Sequence, residues 1–370
     1  MLEEIGYDND HFQDLMAYKA STDPDTMYMS QALKESDKKH FIDAMVKEVQ
    51  DQMENNNFTI VHKNQVPKEK IILPAVWQIK RKRDIRTQKV KKYKARMNID
   101  GSKMVMGIHY EETYASVASW ISIRVMLALV AAFGWHTQQI DYVIAFPQAL
   151  TEKEIYMKVP KGFCITGKNP NENVSKLNQN VYGQKQASRV WNKYLGKILI
   201  QKVGFKQSKI DECVYYKVKT MYILYKDDSI LAGPDKNEIE DIIKSVKEAG
   251  LNITREGDIS DFLGINITKR KDGSIGFTQP HLIDQILKDL KIDNENLKVK
   301  ETPSKVSQIL SSGMKDAPFD NSFHYRSIIG KLNYLEKATR SNISYITHQC
   351  ACFTMKPRAN HAKAILWIAQ

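Results

Sequence analysis

Tyr222-Ile223-Leu224-Tyr225-Lys226-Asp227-Asp228-Ser229-Ile230-Leu231 is the stretch on which the reading of this 370-residue chain turns. Two short apolar, β-prone runs flank Lys226-Asp227-Asp228, the pattern of a hairpin whose turn falls at the charged residues. Adjacent carboxylates repel, yet Asp is common in turns. The dipeptide alone therefore leaves two readings, an ordinary turn or a pair that a divalent cation would neutralise. Asp141 strengthens the second, because it ends another strand-like run, Thr137-Gln138-Gln139-Ile140-Asp141-Tyr142. Three carboxylates at strand ends could hold two cations ~4 Å apart, activate an attacking hydroxyl and stabilise a leaving oxyanion. Such chemistry needs positioning and charge neutralisation rather than a covalent nucleophile. No Ser–His or Cys–His arrangement and no Gly-x-x-x-x-Gly-Lys phosphate loop competes for that role.

Outward from this hairpin the chain alternates helical and strand-like stretches, and it is long enough for two to three lobes. Phe41, Met45, Val49 and Met53 recur every four residues and predict an amphipathic helix ending at Asn55-Asn56-Asn57. Ser119 to Phe133 predicts a largely buried helix with Ile121, Val125, Leu127 and Leu129 apolar, and Ala187 to Val203 a second helix carrying Trp191, Leu195, Ile198 and Leu199. Asp235 is placed to cap a helix with Ile239, Ile242, Ile243 and Val246 on its apolar face, closed by Gly250. A second hairpin is expected around Asp272-Gly273.

The net charge is +12 and unevenly spread. Residues 61–103 carry 14 Lys/Arg against Glu69, Asp84 and Asp100, whereas residues 1–60 carry 5 Lys against 13 acids. The basic run, mixed with Ile71, Ile72, Val76, Trp77 and Ile79, reads as strands. It is either a polyanion-binding surface or a solvated lysine-rich strand pair. Residues 1–40 read as an acidic lead or linker. Cys164, Cys213, Cys350 and Cys352 form no CxxC pair, so a reducing compartment and buried structural thiols are expected. The longest apolar stretch, 125–135, is too short to span a bilayer, and no secretory signal is visible.

Several segments then resemble one family. Asp141-Tyr142-Val143-Ile144-Ala145-Phe146 resembles the Asp-Val-x-x-Ala-Phe motif of copia-type retrotransposon reverse transcriptases, and Tyr225-Lys226-Asp227-Asp228 their Tyr-Val-Asp-Asp box. Tyr93-Lys94-Ala95-Arg96, Tyr110 to Ala115, Tyr182 to Trp191 and Phe262-Leu263-Gly264-Ile265 resemble further family segments, in family order. The resemblance implies an α+β right-hand polymerase whose antiparallel palm sheet is backed by helices. Fingers would lie at 41–134, palm at 135–274 with part of the fingers inserted at about 160–205, and a mostly helical thumb at 275–370. The chain would stop where an RNase H domain begins and would be a polyprotein fragment, with no integrase-like segment before residue 40.

By the same resemblance, Asp141 and Asp227 would bind two Mg²⁺ ions (Mn²⁺ can substitute), with Asp228 and the Tyr142 carbonyl completing the site. Phe146 would lie under the incoming sugar, and Lys94, Arg96 and Lys80 would neutralise the triphosphate. Arg96 is favoured over Lys94, and strand alternation is expected to turn only one of them to the site. Tyr182, Gly183 and Gln186 would shape the nucleotide pocket; a helix-start turn is the alternative. Tyr225 and Lys226 would meet primer and template. Partners would be an RNA template, a DNA primer and dNTPs, with no membrane, in a cytoplasmic virus-like particle and with a nuclear location as a second option. Departures from the family pattern are Lys226 for Val, Pro147-Gln148-Ala149 for Leu-Asn-Gly, Ser188 for Pro, His109 for Asp, Ser116 for Pro, Met104 for Gln and Ser341-Asn342 for Pro-Asp. They keep open a second function, a catalytically decayed remnant that only binds nucleic acid. They also suggest that Lys226→Val would raise primer extension.

Overall fold

The computed structural model describes residues 25–83, 89–163, 169–292, 299–305, 309–312 and 316–370. Most of the expected lead segment and Cys164 lie outside them. The central feature is a six-stranded antiparallel sheet in the order Ile253–Gly257, His136–Tyr142, Asp228–Gly233, Thr220–Tyr225, Val214–Lys217, Lys206–Gln207. Asp228 thus belongs to a strand rather than to the turn, which is Lys226-Asp227 alone. Helices Trp120–Phe133, Ala187–Ile198 and Lys236–Glu248 share a core with this sheet, bringing Ile123, Met126, Trp191, Leu195 and Ile242 against Ile140, Tyr222 and Ile230. The class is α+β, as expected.

Local chemistry sets these helices. The Asp235 carboxylate accepts the Asn237 N–H at 2.8 Å and Gly250 takes φ 90°, so the helix between has a cap at each end. Ser119 Oγ accepts the Ser122 N–H at 3.1 Å, and Gly134 closes that helix at φ 63°. Its buried stripe is Ile123, Met126, Leu127 and Val130. Ile121 and Val125, expected inside, are 75% and 50% exposed, because a helix on a sheet turns only one stripe inward. The helix Lys38–Glu54 buries Phe41, Met45, Val49 and then Gln52, leaving Met53 at the surface. Steps of four outrun the 3.6-residue turn, so by the third repeat the stripe falls one position earlier.

The basic run folds as a long antiparallel hairpin, Ala75–Arg83 with Val90–Ile99. Ile79 and Ala95 on one face pack with Phe41 and Met45 of the 38–54 helix. The acidic residues just before that helix are not a linker. Thr26–Met27 pairs with Ile79 and Lys80, Asp25 bonds Arg83 at 2.7 Å, and Asp37 bonds Arg81 at 2.6 Å and the Tyr93 hydroxyl at 2.8 Å. Opposite charge drew the segment onto the hairpin, and Met27 anchors it in the core. Phe58–His62, Asn173–Leu177, Tyr156–Lys158 and Ile72–Leu73 form another sheet with its own core around Phe58, Leu73, Met157 and Leu177.

The C-terminal helices Pro280–Asp289, Tyr325–Ala338, Ser344–Ala351 and Ala359–Ile368 share a separate core that includes Ile286, Ile328, Leu332, Ile346 and Ile365. Arg124 donates to the Lys337 and Ala338 carbonyls at the end of the 325–338 helix, and the Tyr334 hydroxyl donates to the Leu263 carbonyl. These contacts tie the helical region to the Trp120–Phe133 helix and to the turn after Phe262. Among the described residues no helix is long and apolar enough to cross a membrane.

Candidate active site

Sheet register brings the acidic residues together. Asp228 lies directly opposite Asp141 in the antiparallel ladder, and opposite residues of a ladder share a face. Asp227, one residue earlier, is held over the same strand end, its carbonyl facing the Tyr142 N–H at 3.4 Å. Thr254 of the neighbouring strand pairs with Asp141 from the other side. Residues far apart in sequence thus meet at one end of two interior strands of the central sheet.

Their electrostatics is that of crowded, half-buried anions. Burial, then the Asp227 and Glu256 charges, raises the Asp141 carboxyl above the usual range. Burial, then Asp227 and Asp141, pushes Asp228 up to about 6. A nearby cation would reverse both effects, so the donor chemistry fits a divalent ion. Among the described residues, however, no group of three or more His, Cys, Asp or Glu side chains forms a ready-made metal cluster. Asp141 and Asp228 face each other across the ladder with Asp227 on the adjoining turn. Mg²⁺ is commonly held by one or two carboxylates with substrate phosphates and water supplying the rest.

The basic hairpin presents two chemically different faces. Arg81, Arg83 and Tyr93 lie on the face covered by Asp25, Glu35 and Asp37. Lys80, Lys82, Lys92, Lys94 and Arg96 alternate onto the other. There Lys80 lies opposite Lys94 and Lys82 opposite Lys92. Like charges directly across a ladder are unfavourable, which suits a surface that meets an anion. Lys94 and Arg96, two positions apart, share this face, so the expectation that only one of them points to the site is corrected. Burial, then the positive charges of Arg96, Lys82 and Lys92, lowers the Lys94 ammonium to about 8. Lys94 and Lys82 in turn hold the Asp141 carboxyl down against its raising neighbours, which places this face within electrostatic reach of the acids.

Arg96 stacks over the Tyr182 ring at 4.4 Å, and Tyr182 meets Phe146 at 5.3 Å. Tyr182 is fixed by its carbonyl, which accepts the Ile99 N–H at 2.9 Å. Gly183 follows at φ 89°, where an added Cβ would stand 2.1 Å from the Ile99 oxygen, so only glycine fits. Gln186 turns elsewhere: it is 1% exposed, precedes the 187–198 helix, and donates to the His109 carbonyl at 3.2 Å inside the protein. Tyr225 meets Phe262 edge-on at 6.3 Å, and the Lys226 ammonium lies 6.0 Å from the Tyr225 ring.

Three residues of this neighbourhood escaped the sequence reading. Glu48 on the 38–54 helix accepts the Met97 N–H at 3.2 Å, and burial raises its carboxyl in spite of Arg96. An acid one position from the buried stripe was a legible signal. Glu256 adds negative charge beside Asp141 and Asp228. The Trp191 indole N–H donates to the Lys226 carbonyl at 3.1 Å, which no sequence pattern announces.

Comparison with known proteins agrees with the motifs. A family model described as reverse transcriptase (RNA-dependent DNA polymerase) matches residues 55–305. The Pol polyprotein of transposon TNT 1-94 from Nicotiana tabacum is 28% identical over 359 residues, covering 94% of this chain and 26% of that protein. That of transposon RE1 from Arabidopsis thaliana is 28% identical over 278 residues, covering 74% of this chain and 18% of that one. A putative transposon Ty5-1 protein of Saccharomyces cerevisiae is 29% identical over 233 residues, covering 61% of this chain and 72% of its own. The chain thus spans about a quarter or less of the two plant polyproteins. A foamy viral protease–reverse transcriptase, solved with double-stranded DNA, aligns with TM-score 0.44 and 14% identity over 88% of this chain and 47% of that one. With well over half of its length matched, the chain belongs to the reverse transcriptase (RNA-dependent DNA polymerase) family, in the copia-type group of transposon relatives.

Proposed function

We propose that the chain is the polymerase region of a retrotransposon reverse transcriptase, adding deoxynucleotides to a primer 3′ end on RNA or DNA templates. The observation that carries this is the pairing of Asp141 with Asp228 across the ladder, with Asp227 on the adjoining turn. Asp141, Asp227 and Asp228, with the Tyr142 carbonyl, would hold two Mg²⁺ ions, for which Mn²⁺ can substitute. When bound, such ions lower the pKa of an attacking hydroxyl and neutralise the leaving pyrophosphate. The chain's own work is placement. Lys94, Arg96 and, from the facing strand, Lys80 present positive charge to a triphosphate. Phe146 and Tyr182 form the wall a sugar would meet. Lys82 and Lys92 extend the same face toward a template backbone, giving binding that weakens steeply with salt.

In this reading the fingers comprise the basic hairpin, the 38–54 helix and the sheet joining 58–73 with 156–177. The palm is the central sheet with its three helices, and the C-terminal helices are the thumb. The Trp120–Phe133 helix goes with the palm because its buried stripe packs there.

The departures from the family pattern leave a second reading, a remnant that only binds nucleic acid. The fit of the departing residues opposes it. Pro147 sits in the first turn of a short 3₁₀ helix, where a missing N–H costs little. Gln148 bonds the Val143 carbonyl at 2.7 Å and both polar backbone atoms of Asn252. His109 accepts the Val105 N–H at 3.0 Å, and Ser116 donates to Glu212 at 2.8 Å. Primer extension on poly-A with Mg²⁺ or Mn²⁺, comparing the native chain with Asp227→Asn, separates the two. Extension that the substitution abolishes supports the polymerase; binding without extension in either chain supports the remnant.

A further inference from the structure

We propose that Trp191 is a positioning residue for Asp227, acting through the peptide that joins Lys226 to Asp227; this rests on the polymerase reading above. Trp191 lies within the Ala187–Ile198 helix and is 1% exposed. A buried indole N–H requires an acceptor, and this one uses the Lys226 carbonyl at 3.1 Å. The acceptor is a turn peptide. Lys226 holds φ 58°, a left-handed conformation that strains a non-glycine residue. A turn carrying that strain is one whose peptides can reorient, and the indole bond opposes the reorientation.

The contact reaches both acid-bearing elements. Just beyond the Asp227 Cα, the Asp227 carbonyl faces the Tyr142 N–H at 3.4 Å, so the peptides on each side of Asp227 are both held from neighbouring elements. The Trp191 ring also meets the Tyr142 ring edge-on at 5.0 Å. The Tyr142 and Tyr222 hydroxyls lie 2.6 Å apart, and Tyr222 donates to Ser229 at 2.7 Å. This buried hydroxyl chain crosses the strands of Asp141 and Asp228, and Trp191 links it to the turn of Asp227. A carboxylate displaced by about 1 Å can cost on the order of 100-fold in rate, which gives the single N–H bond its leverage. If Trp191 merely filled the core, any ring of its shape would serve.

The test replaces Trp191 with β-(3-benzothienyl)alanine, which keeps the fused ring and substitutes sulfur for N–H, and uses Trp191→Phe as a second variant. Mn²⁺ affinity is read by the EPR signal of free Mn²⁺ on the full chain with primer–template, alongside single-nucleotide extension and primer–template affinity. Lost outer-shell partners typically cost about 10–100-fold in metal affinity or activity. Mn²⁺ affinity and kcat should fall by about tenfold or more, with the melting temperature and primer–template affinity of the benzothienyl chain unchanged. Native Mn²⁺ affinity in a folded benzothienyl chain, with affinity lost in Asp227→Asn, would overturn the positioning role and leave the polymerase reading standing. Equal Mn²⁺ affinity in native and Asp227→Asn chains would overturn that reading itself, and the positioning role with it.

Discussion

Replacing Gly183 with alanine tests how the nucleotide-facing wall is held against the basic hairpin. At Gly183 two costs coincide. An alanine Cβ would stand 2.1 Å from the Ile99 oxygen, and the residue would have to keep φ 89°. Overpacking of this kind costs about 1–3 kcal/mol and the left-handed conformation a further 1–2 kcal/mol, roughly 2–5 kcal/mol together. Gly101 supplies the internal control. Its Cβ would meet the Gly183 oxygen at 2.3 Å, but its own φ is not in the left-handed region, so Gly101→Ala carries the steric cost alone, about 1–3 kcal/mol. At about 2–4 °C per kcal/mol for a unit of 150–250 residues, Gly183→Ala lowers the thermal midpoint by roughly 4–20 °C and Gly101→Ala by roughly 2–12 °C. Because Gly183 adjoins Tyr182, the dNTP KM should rise more in Gly183→Ala than in Gly101→Ala. The assay is thermal unfolding followed by tyrosine and tryptophan fluorescence, with dNTP titration of extension at a temperature where both variants stay folded. Midpoints within about 1 °C of native for both variants, or a larger loss at Gly101, would show that neither the close approach nor the left-handed backbone limits Gly183.

Four further outcomes follow from the same geometry. Arg81, by hydrogen bond and charge, with help from Tyr93, holds the Asp37 carboxyl down at about 2 against its usual 3.8, so the bond's contribution is complete above the unfolded value and is lost as pH falls from about 4 to 2. Asp37→Asn should flatten that part of the thermal-midpoint profile, and an unchanged slope would contradict it. Replacing Lys82 and Lys92 by alanine should reduce the slope of log K for template binding against log salt by about 1.5, whereas Arg83→Ala, on the face paired with Asp25, should leave the slope unaltered; equal effects would undo the two-face assignment. At pH 8, alkylation read by mass spectrometry should label exposed Cys352 well before Cys213 and Cys350, whose thiols burial pushes up to about 11 and about 12. Lys226→Gly should leave extension intact or raise it, because φ 58° favours glycine; Lys226→Val should slow extension, since a β-branched residue fits that conformation worse than lysine does. Faster extension by the valine variant would restore the view taken from the family pattern.

The left-handed backbone of Lys226 marks where sequence reading stops. The strands around Asp141 and Asp227 and the caps at Asp235 and Gly250 were legible because they rest on local patterns of apolar residues, turns and caps. The assignment of Asp228 to a strand was not, because ladder register depends on the partner strand. Nor was the division of the basic run into an arginine face covered by Asp25, Glu35 and Asp37 and a lysine face toward the acids. Strand alternation contains that division, but only once the hairpin register and the packing of the 38–54 helix are known. Ile121 and Val125 look like core in one dimension and lie at the surface because the sheet takes a single stripe of their helix. Gly183 could be noticed in its motif, but the reason for it, an Ile99 carbonyl within 2.1 Å of a would-be Cβ, exists only in three dimensions. The bond from Trp191 to the Lys226 carbonyl joins residues 35 positions apart and leaves no periodic trace.

On the proposed function, Asp141, Asp227 and Asp228 work as one site because the ladder sets Asp141 opposite Asp228. Single-nucleotide extension of an oligo-dT primer on poly-A in Mg²⁺, run with native and Asp141→Asn chains at saturating primer–template, measures it directly. The variant's rate should be at least about 100-fold lower, the scale of losing a preorganised electrostatic group, with primer–template affinity preserved. Equal extension rates by the two chains would contradict it.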